Sequence, residues 1–365
     1  MEKRKNLAVI CLTSVFLLGF LIWSFLKPDS AVSQSERRKL AQKPDLTAAA
    51  VLSGDFMTKF ESYTLDQFPL RDGFRRLKAA VLLDVLRKKD NNGIYLADGY
   101  AAKLEYPLDE ASVCHAAERF QLIYETYLAG TDTKIYEAMI PDKGAFLAPQ
   151  NGYPSLDYSA LSALLQENMP YAEPVDLQPV LSLDSYYRTD LHWRQEALLP
   201  VAERLAEAMD IKLSAKYDTV TAGAPFYGVY CGQSALPLDP DPLRYLTNET
   251  LRSCTVYDYE TGSTGPVYDL DALEGEDPYS VFLSGSKSLL TITNPNVDTE
   301  RELVIFRDSF ASSLAPLLVS AYAKITLVDI RYVQPERLGR WLTFDAQDVL
   351  FLYSVPVLNH SETLK

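Results

Sequence analysis

Histidine and cysteine are scarce in this chain. Its 365 residues include three histidines, His115, His192 and His360, and four cysteines. The histidines are scattered along the chain, so we expect neither a multi-histidine metal site nor any other cofactor. No Cys-x-x-Cys pair occurs, which removes the usual signal of a zinc ribbon or a thioredoxin-like site. Acid–base chemistry near neutral pH therefore has few imidazoles to use.

Basic residues are also in the minority. The chain has 35 Lys and Arg against 49 Asp and Glu, a net charge of −14. This balance argues against binding nucleic acid through the whole surface, so no nucleic-acid partner is expected. The hydrophobic fraction of 47% and the charged fraction of 23% are typical of a globular chain and exclude general disorder. The length suits one large domain with appendages, or two domains.

The N-terminus predicts a membrane anchor. Residues 7–26 form an uncharged stretch of twenty residues, which is long enough to span a bilayer. Three basic residues, Lys3, Arg4 and Lys5, precede it, so residues 1–6 are expected in the cytoplasm and the rest outside the membrane. Residues 1–30 carry +2 and the remainder carries −16.

A cleaved signal peptide is the alternative to an anchor. Cleavage at Ala31 would place Asp29 at the −3 position, which is a poor fit, and the apolar stretch is longer than a signal peptide needs. The sequence therefore favours an uncleaved helix. The remaining chain is divided into a juxtamembrane tether at 27–54, an extracytoplasmic domain at 55–356 with an irregular region and possible insertion at 211–300, and a tail at 357–365.

Apolar periodicity predicts the main elements of the domain. Helices are expected over about 108–129, 158–168, 193–209 and 309–322, and strands over 134–140, 303–306, 325–328 and 349–353. The strands are continuously apolar and alternate with helices, which is typical of a mostly parallel sheet covered on both faces. We therefore predict an α/β fold with three layers.

A first candidate for chemistry lies at 186–193. Asp190 and His192 are two residues apart, and in an extended chain such residues point to the same side. The carboxylate could then orient and charge-stabilise the imidazole. A lone Asp-x-His is weak evidence, since an isolated histidine is more often a packing or surface residue.

A second candidate is Ser309, which follows an apolar strand and opens a helix. This arrangement is similar in principle to the nucleophile elbow, although G-x-S-x-G is absent. The amide of a serine at a helix start is available to stabilise an oxyanion. The alternative is that Asp308 or Ser309 only caps the helix. With Asp190 and His192, Ser309 completes the set that activates a hydroxyl nucleophile.

The blocks TDLHW at 189–193 and RDSF at 307–310 together resemble the DHHW protein family, which is related to the SGNH-hydrolase-like proteins of alginate acetylation. Softer matches lie at 35–46, 54–71, 227–230 and 328–332. The resemblance implies an SGNH-hydrolase-like, flavodoxin-like fold with Ser309, His192 and Asp190 as a catalytic triad. The chain departs from the family pattern in two places, with Leu191 replacing the first histidine of the namesake motif and Arg307 replacing a glycine.

The resemblance also implies a function. It suggests a membrane-anchored extracytoplasmic serine esterase or O-acyltransferase, for acetyl groups, that acts on cell-surface polysaccharide and has a multipass acyl-transferring membrane protein as a possible partner. Four further residues are candidates for binding substrate or the oxyanion: Tyr187, Asn294, Arg307 and Arg331. For Asn294 a turn role, and for Arg331 a surface salt bridge, remain open. The alternative function is a non-catalytic surface protein that binds glycan or a protein, which Arg307 favours.

Three smaller expectations concern residues outside these segments. Cys231 and Cys254 could form a disulfide, but free thiols are an equally good prediction. His115 is expected on a helix in a structural or exposed position. His360 is expected in a mobile tail.

Overall fold

The computed structural model describes residues 2–33, 35–213 and 216–365, and the chain divides into two compact units. Unit 1 comprises the chain up to Asn92 together with Cys231–Pro237, and unit 2 comprises Gly93–Tyr230 and Leu238–Lys365. We expected the boundary near residue 54. It lies at Asn92 because aromatic side chains of residues 55–80 contact the N-terminal helix, with Phe20 against Phe68 and Phe74.

Unit 1 begins with the predicted apolar helix. Its elements are α1 (Glu2–Leu26), β1 (Val32–Ser33), β2 (Arg38–Lys39), α2 (Ala48–Leu52), α3 (Asp55–Asp66) and α4 (Arg71–Ala80), which continues as a π-helical turn at Val81–Val85. The 25 residues of α1 are long and apolar enough to cross a membrane, and none of them is buried.

Residues 27–54 are not a plain tether, because ion pairs fix them to the following helices. Arg38 donates to both carboxylate oxygens of Asp66, at 2.8 and 2.6 Å. The Arg38 guanidinium lowers the pKa of Asp66 to about 2. Glu36 lies within 3.1 Å of both Arg71 and Arg75. The resulting network joins the chain after α1 to α3 and α4.

Unit 2 contains the large sheet. Its elements in chain order are β3 (Ile94–Ala97), β4 (Tyr100–Lys103), α5 (Glu110–Ile123), β5 (Lys134–Ile140), α6 (Gly144–Leu147), α7 (Tyr158–Asn168), β6 (Glu173–Pro174), α8 (Leu199–Ala208), β7 (Asp218–Phe226), α9 (Val229–Ser234, entering unit 1 at its end), β8 (Asp241–Thr247), α10 (Glu249–Ser253), β9 (Thr255–Asp258), β10 (Ser263–Gly265), β11 (Leu289–Thr293), β12 (Glu302–Arg307), α11 (Ala311–Leu318), β13 (Lys324–Val328), β14 (Asp348–Ser354) and α12 (Val355–Leu358).

The eight-stranded sheet has the order β10-β9-β11-β13-β12-β14-β5-β6. The five strands from β13 to β6 are parallel, and β11, β9 and β10 pair antiparallel at one edge. The region 211–300 is therefore not an insertion as a whole, because three of its strands complete the sheet. Ser214 and Ala215 of that region lie outside the described residues.

Both faces of the sheet are covered. On β12, Leu303 and Ile305 pack into a core with side chains of α8 and α11. Val304 and Phe306 alternate to the other face, into a core with side chains of α5 and α7. The two cores give the three-layer α/β arrangement that continuous apolar strands predict.

The end of the chain differs from the expected mobile tail. His360 Nε2 lies 3.1 Å from Glu105 Oε2, and Ser361 is fully buried with its hydroxyl 2.9 Å from Nδ1 of His115. These contacts dock the last residues against α5. Cys231 and Cys254 do not form a disulfide, so that alternative is wrong.

Candidate active site

Ser309 lies in the turn between β12 and α11, at the carboxyl end of a central parallel strand. In the fully described run from Leu303 to Val319, Ser309 is the one residue that is not buried. Asp308 fixes the turn, because its carboxylate accepts the amides of Phe310 at 3.0 Å and Ser354 at 2.8 Å. The turn therefore presents a single hydroxyl at the sheet edge where α/β folds bind ligands.

His192 joins Ser309 to Asp190. Its Nε2 lies 2.8 Å from Ser309 Oγ, and its Nδ1 lies 2.7 Å from Asp190 Oδ1. A carboxylate only accepts hydrogen bonds, so Nδ1 carries the proton and Nε2 accepts from the serine hydroxyl. Asp190 is 1% exposed and His192 is 7% exposed. The three side chains thus form one continuous hydrogen-bonded chain.

The segment that carries Asp190 and His192 is a bend rather than the expected extended strand. Tyr186 and Trp193 form a bridge across it, and residues 188–192 turn between them. The backbone amide of His192 donates to Asp190 Oδ1 at 3.1 Å, which is an Asx turn. This local bond, not strand alternation, brings the two side chains to the same side.

A neighbouring segment holds the Asp190 carboxylate. Asp190 Oδ2 accepts the amide of Val229 at 2.8 Å. A Cβ at Gly228 would lie 2.2 Å from the carbonyl carbon of Thr189, so only glycine permits this approach. The Thr189 hydroxyl accepts the Gly228 amide and lies 2.6 Å from Asp241 Oδ2. Both oxygens of Asp190 are therefore engaged.

Tyr279 supports the imidazole from one face. Its ring stacks on His192 with centroids 3.9 Å apart and planes 11° apart. The Tyr279 hydroxyl lies 2.9 Å from Ser313 Oγ, which also accepts from Trp193 Nε1 at 2.9 Å. The sequence gives no local signal for this role, because Tyr279 lies in an irregular stretch far from both motifs.

Arg307 does not fit the expected contact with substrate, because it is fully buried. Its guanidinium donates to the hydroxyl of Ser312 at 3.0 Å and to the carbonyl groups of Asp308 and Lys287. Burial lowers the pKa of Arg307. Arg307 thus braces the turn around Ser309 from inside the protein.

Tyr187 and Arg331 are both occupied by contacts within the protein. Tyr187 is fully buried, with its ring packed edge-on against Tyr279 and Phe226. Arg331 lies after β13 at the same sheet edge as Ser309, and its guanidinium donates to both oxygens of Asp329, at 2.9 and 2.6 Å. The salt bridge that was an alternative for Arg331 is the arrangement seen.

Asn294 cannot be an oxyanion donor for Ser309, because it lies at the opposite end of the strands. It follows β11, which runs antiparallel to β13 and pairs Thr293 with Lys324 at the start of that strand. Ser309 lies beyond the opposite end of β12. The Asn294 amide donates to the carbonyl of Val319 at 2.8 Å, and its oxygen accepts the amide of Asn296. Asn294 thus has the turn role that its sequence context allows.

The Ser309 amide and the side chains that could ligate a metal bear on the chemistry that the site can perform. In the described part of the chain, the amide of Ser309 donates to no protein acceptor and is available to a negatively charged oxygen. Within the described ranges, no group of three or more His, Cys, Asp or Glu side chains is placed to hold a metal ion. The geometry suits nucleophilic acyl chemistry by a serine with its own base.

The solved structures that resemble this chain include those of two bacterial proteins. A DHHW family protein from Eubacterium siraeum matches with a TM-score of 0.60 and 20% identity, over 75% of this chain and 95% of that one. PatB1 from Bacillus cereus, solved with a sulfonyl adduct, matches with a TM-score of 0.56 and 17% identity, over 73% and 95%. PatB1 without the adduct matches with a TM-score of 0.52 and 18% identity, over 73% of this chain and 96% of that one.

These likenesses concern the fold. They confirm the SGNH-hydrolase-like α/β architecture and the resemblance to a DHHW family protein that the TDLHW and RDSF blocks predicted. No protein-family model and no curated protein sequence matches the chain.

Proposed function

We propose that this chain is a membrane-anchored serine O-acetyltransferase or acetylesterase that acts on cell-surface polysaccharide outside the cytoplasmic membrane. One observation carries the proposal. The imidazole of His192 lies within hydrogen-bond distance of both Asp190 and Ser309, and Ser309 is the accessible residue of its turn. The likeness to a PatB1 structure with a sulfonyl adduct is consistent with a reactive nucleophile in this fold.

The first half-reaction forms an acyl-enzyme. Ser309 Oγ attacks the carbonyl carbon of an acetyl ester while His192 Nε2 takes the hydroxyl proton. The Ser309 amide stabilises the negative charge that develops on the carbonyl oxygen. When the tetrahedral intermediate collapses, the bond to the leaving alcohol breaks and His192 returns the proton to that alcohol.

The second half-reaction releases the acetyl group. A sugar hydroxyl or a water molecule gives its proton to His192 and attacks the acetyl carbon. The bond between that carbon and Ser309 Oγ then breaks, His192 gives the proton to Ser309 Oγ, and an acetylated sugar or acetic acid is released. Asp190 keeps Nδ1 protonated throughout and stabilises the imidazolium. A sugar acceptor makes the chain a transferase, and water makes it an esterase.

The anchor places this chemistry at the membrane. With α1 across the bilayer and its basic residues in the cytoplasm, unit 2 lies outside, where surface polysaccharide is found. A multipass membrane protein that delivers acetyl groups would supply the donor at that surface. The acidic charge of the exported part gives no general attraction to polyanions, so an acidic glycan would need a local basic contact.

Hydrolysis of 4-nitrophenyl acetate by the detergent-solubilised full chain tests the proposal. Ser309→Ala and His192→Ala should each lower kcat by at least about a thousandfold, because each removes a member of the catalytic set. Ser320→Ala and His360→Ala are matched controls that should retain activity, since neither residue contacts the site. Equal activity in the wild type and Ser309→Ala would contradict the proposal.

The non-catalytic alternative loses its main support in the structure. It was favoured by Arg307, which stands in place of a glycine beside the serine turn, whereas the Arg307 side chain is fully buried and bonded to Ser312. Ser309 stays accessible beside it.

A further inference from the structure

Helix α4 presents a largely exposed apolar face on unit 1. Leu70, Phe74, Leu77, Val81 and Val85 recur every three or four residues along α4 and the π-helical turn that follows. They are 58, 39, 58, 40 and 70% exposed, respectively. Residues at this spacing share one helix face. We call these five residues the α4 stripe.

The other side of the helix is engaged by the protein. Ala79 is fully buried, and Arg75 bonds to Glu36 and to the carbonyl of Gly232, at 3.1 and 2.6 Å. The orientation of α4 is therefore fixed within unit 1, and the stripe is held outward. Single exposed apolar residues are normal on soluble proteins, but a contiguous row of five large apolar side chains marks an interaction surface.

Contacts with α1 indicate how deep the start of α4 lies relative to the membrane. Within Glu2–Leu26, Phe20 and Ser24 are the two residues that are not exposed. Phe20 contacts Phe68 and Phe74, with ring centroids 5.4 and 5.7 Å apart. Phe20 is six residues from the end of α1, or about 9 Å along the helix. If α1 spans the bilayer, Phe68 and Phe74 lie on the membrane side of the outer boundary of the bilayer.

The charge around the stripe fits a lipid surface. Residues 71–89 include seven basic and two acidic residues, a net charge of +5 in a chain whose total is −14. Arg76, Lys78 and Arg87 of this segment are exposed. An apolar helix face flanked by basic residues is the pattern of helices that lie in the membrane interface.

We propose that α4 lies in the outer interface of the membrane that α1 spans, with the α4 stripe among the lipid acyl chains. Lipid is the occupant because Phe74 of the stripe contacts Phe20 of α1, six residues before the end of the helix that is taken to span the bilayer. The basic flank adds attraction to anionic headgroups. The anchor is then a single span reinforced by a helix on the surface, and this proposal is independent of the acyl chemistry of unit 2.

Site-directed spin labelling of the full chain tests this. The four cysteines are replaced, and a nitroxide is attached at Leu77→Cys, at Val81→Cys or, as a matched control on the exposed polar side of α4, at Arg76→Cys. The chain is reconstituted in vesicles of phosphatidylethanolamine and phosphatidylglycerol. Collision of each label with oxygen, which concentrates in lipid, is compared with collision with a water-soluble nickel complex.

The proposal predicts an oxygen-to-nickel ratio that is several-fold higher at residues 77 and 81 than at residue 76. Ratios at 77 and 81 equal to that at 76 would overturn it. Because the vesicles offer only lipid and water, that outcome would show that lipid does not cover the stripe.

Discussion

At the scale of single residues, the site depends on contacts that hold an imidazole in place. Asp190 is bonded to His192 and Val229, and Tyr279 lies flat against the His192 ring. A misplacement of about 1 Å in a catalytic group can lower a rate a hundredfold. The residues around the triad are therefore expected to affect turnover without touching substrate.

Tyr279→Leu tests the stacking contact. Loss of the ring should lower kcat for 4-nitrophenyl acetate by about tenfold to a hundredfold, because the imidazole loses the ring that packs against one of its faces and holds it in position. Tyr279→Phe keeps the stack and should restore most of the activity. Tyr257→Leu, on an exposed tyrosine of β9, is the control. Equal loss in the Leu and Phe variants would show that the hydroxyl, not the stacked ring, is what matters.

Gly228→Ala tests the close approach behind Asp190. The new methyl group would meet the Thr189 carbonyl at 2.2 Å, so the backbone must move and the Val229 bond to Asp190 is lost. We expect a destabilisation of about 3 kcal/mol together with loss of activity. Gly223→Ala is the matched control, since nothing lies within 4 Å of its Cβ position. Similar melting temperatures for the two variants would refute the account of this contact.

At the scale of the elements, the direction of each strand decides at which end of the sheet the following residue lies. Ser309 and Arg331 lie at the carboxyl edge of the parallel strands, and Asn294 lies at the opposite edge because β11 is antiparallel. The direction of a strand cannot be read from its own residues, which is why Asn294 was a reasonable candidate from sequence and is wrong in the structure.

Asn294→Ala separates the two roles of that residue. Loss of its bonds to Val319 and Asn296 should destabilise the protein by about 1–3 kcal/mol, because buried backbone groups lose their partners. The kcat of the folded variant should be unchanged. A stable variant with a large loss of kcat would instead restore the oxyanion role. Urea unfolding and ester hydrolysis of the same preparation give both values.

Strand β5 carries a buried carboxyl group that makes stability depend on pH. Burial raises the pKa of Glu137 from 4.5 to about 7. As the pH rises, the Glu137 carboxyl group therefore ionises in the unfolded chain before it ionises in the folded protein. The free energy of unfolding falls as the pH rises from about 4.5 to 7. The full effect is up to about 3 kcal/mol. Glu137→Gln should remove this slope, so the variant gains on the wild type between pH 5 and 8 in urea unfolding. Parallel pH profiles would contradict this.

Much of the element pattern was predictable because it is local. The apolar run bounded by Lys134 and Pro141 gave β5 with the bounds that the structure has. The helix expected over 193–209 is shorter, since α8 begins at Leu199 and Trp193 is tied to Phe310 and Ser313. Such long-range bonds override a local helical pattern.

At the scale of the whole molecule, two short motifs were enough to predict the fold and to propose the site. TDLHW and RDSF are separated by more than a hundred residues, yet their side chains meet in one hydrogen-bonded chain. The support around them was not predictable. Tyr279 and the buried path of Arg307 depend on tertiary packing, and no periodic pattern marks those positions. Gly228 lies in the softer family match at 227–230, but that match did not indicate its close approach to Thr189.

The N-terminal unit was the least predictable part of the molecule. Residues 27–54 have a polar composition that indicates a tether, but the ion pairs of Arg38 and Glu36 tie them to α3 and α4. Charge composition alone does not show which opposite charges meet. The anchor predicted from residues 7–26 corresponds to α1, while its contact with Phe68 and Phe74 appears only in the fold.

In the proposed mechanism, Ser309 is a nucleophile activated by His192. The most direct measurement is peptide-mapped mass spectrometry of the full chain, quenched in acid during turnover of 4-nitrophenyl acetate. A single acetyl group should appear on Ser309, disappear as substrate is exhausted, and be absent in His192→Ala. An unmodified Ser309 during turnover, or acetylation that is equal in His192→Ala, would contradict it.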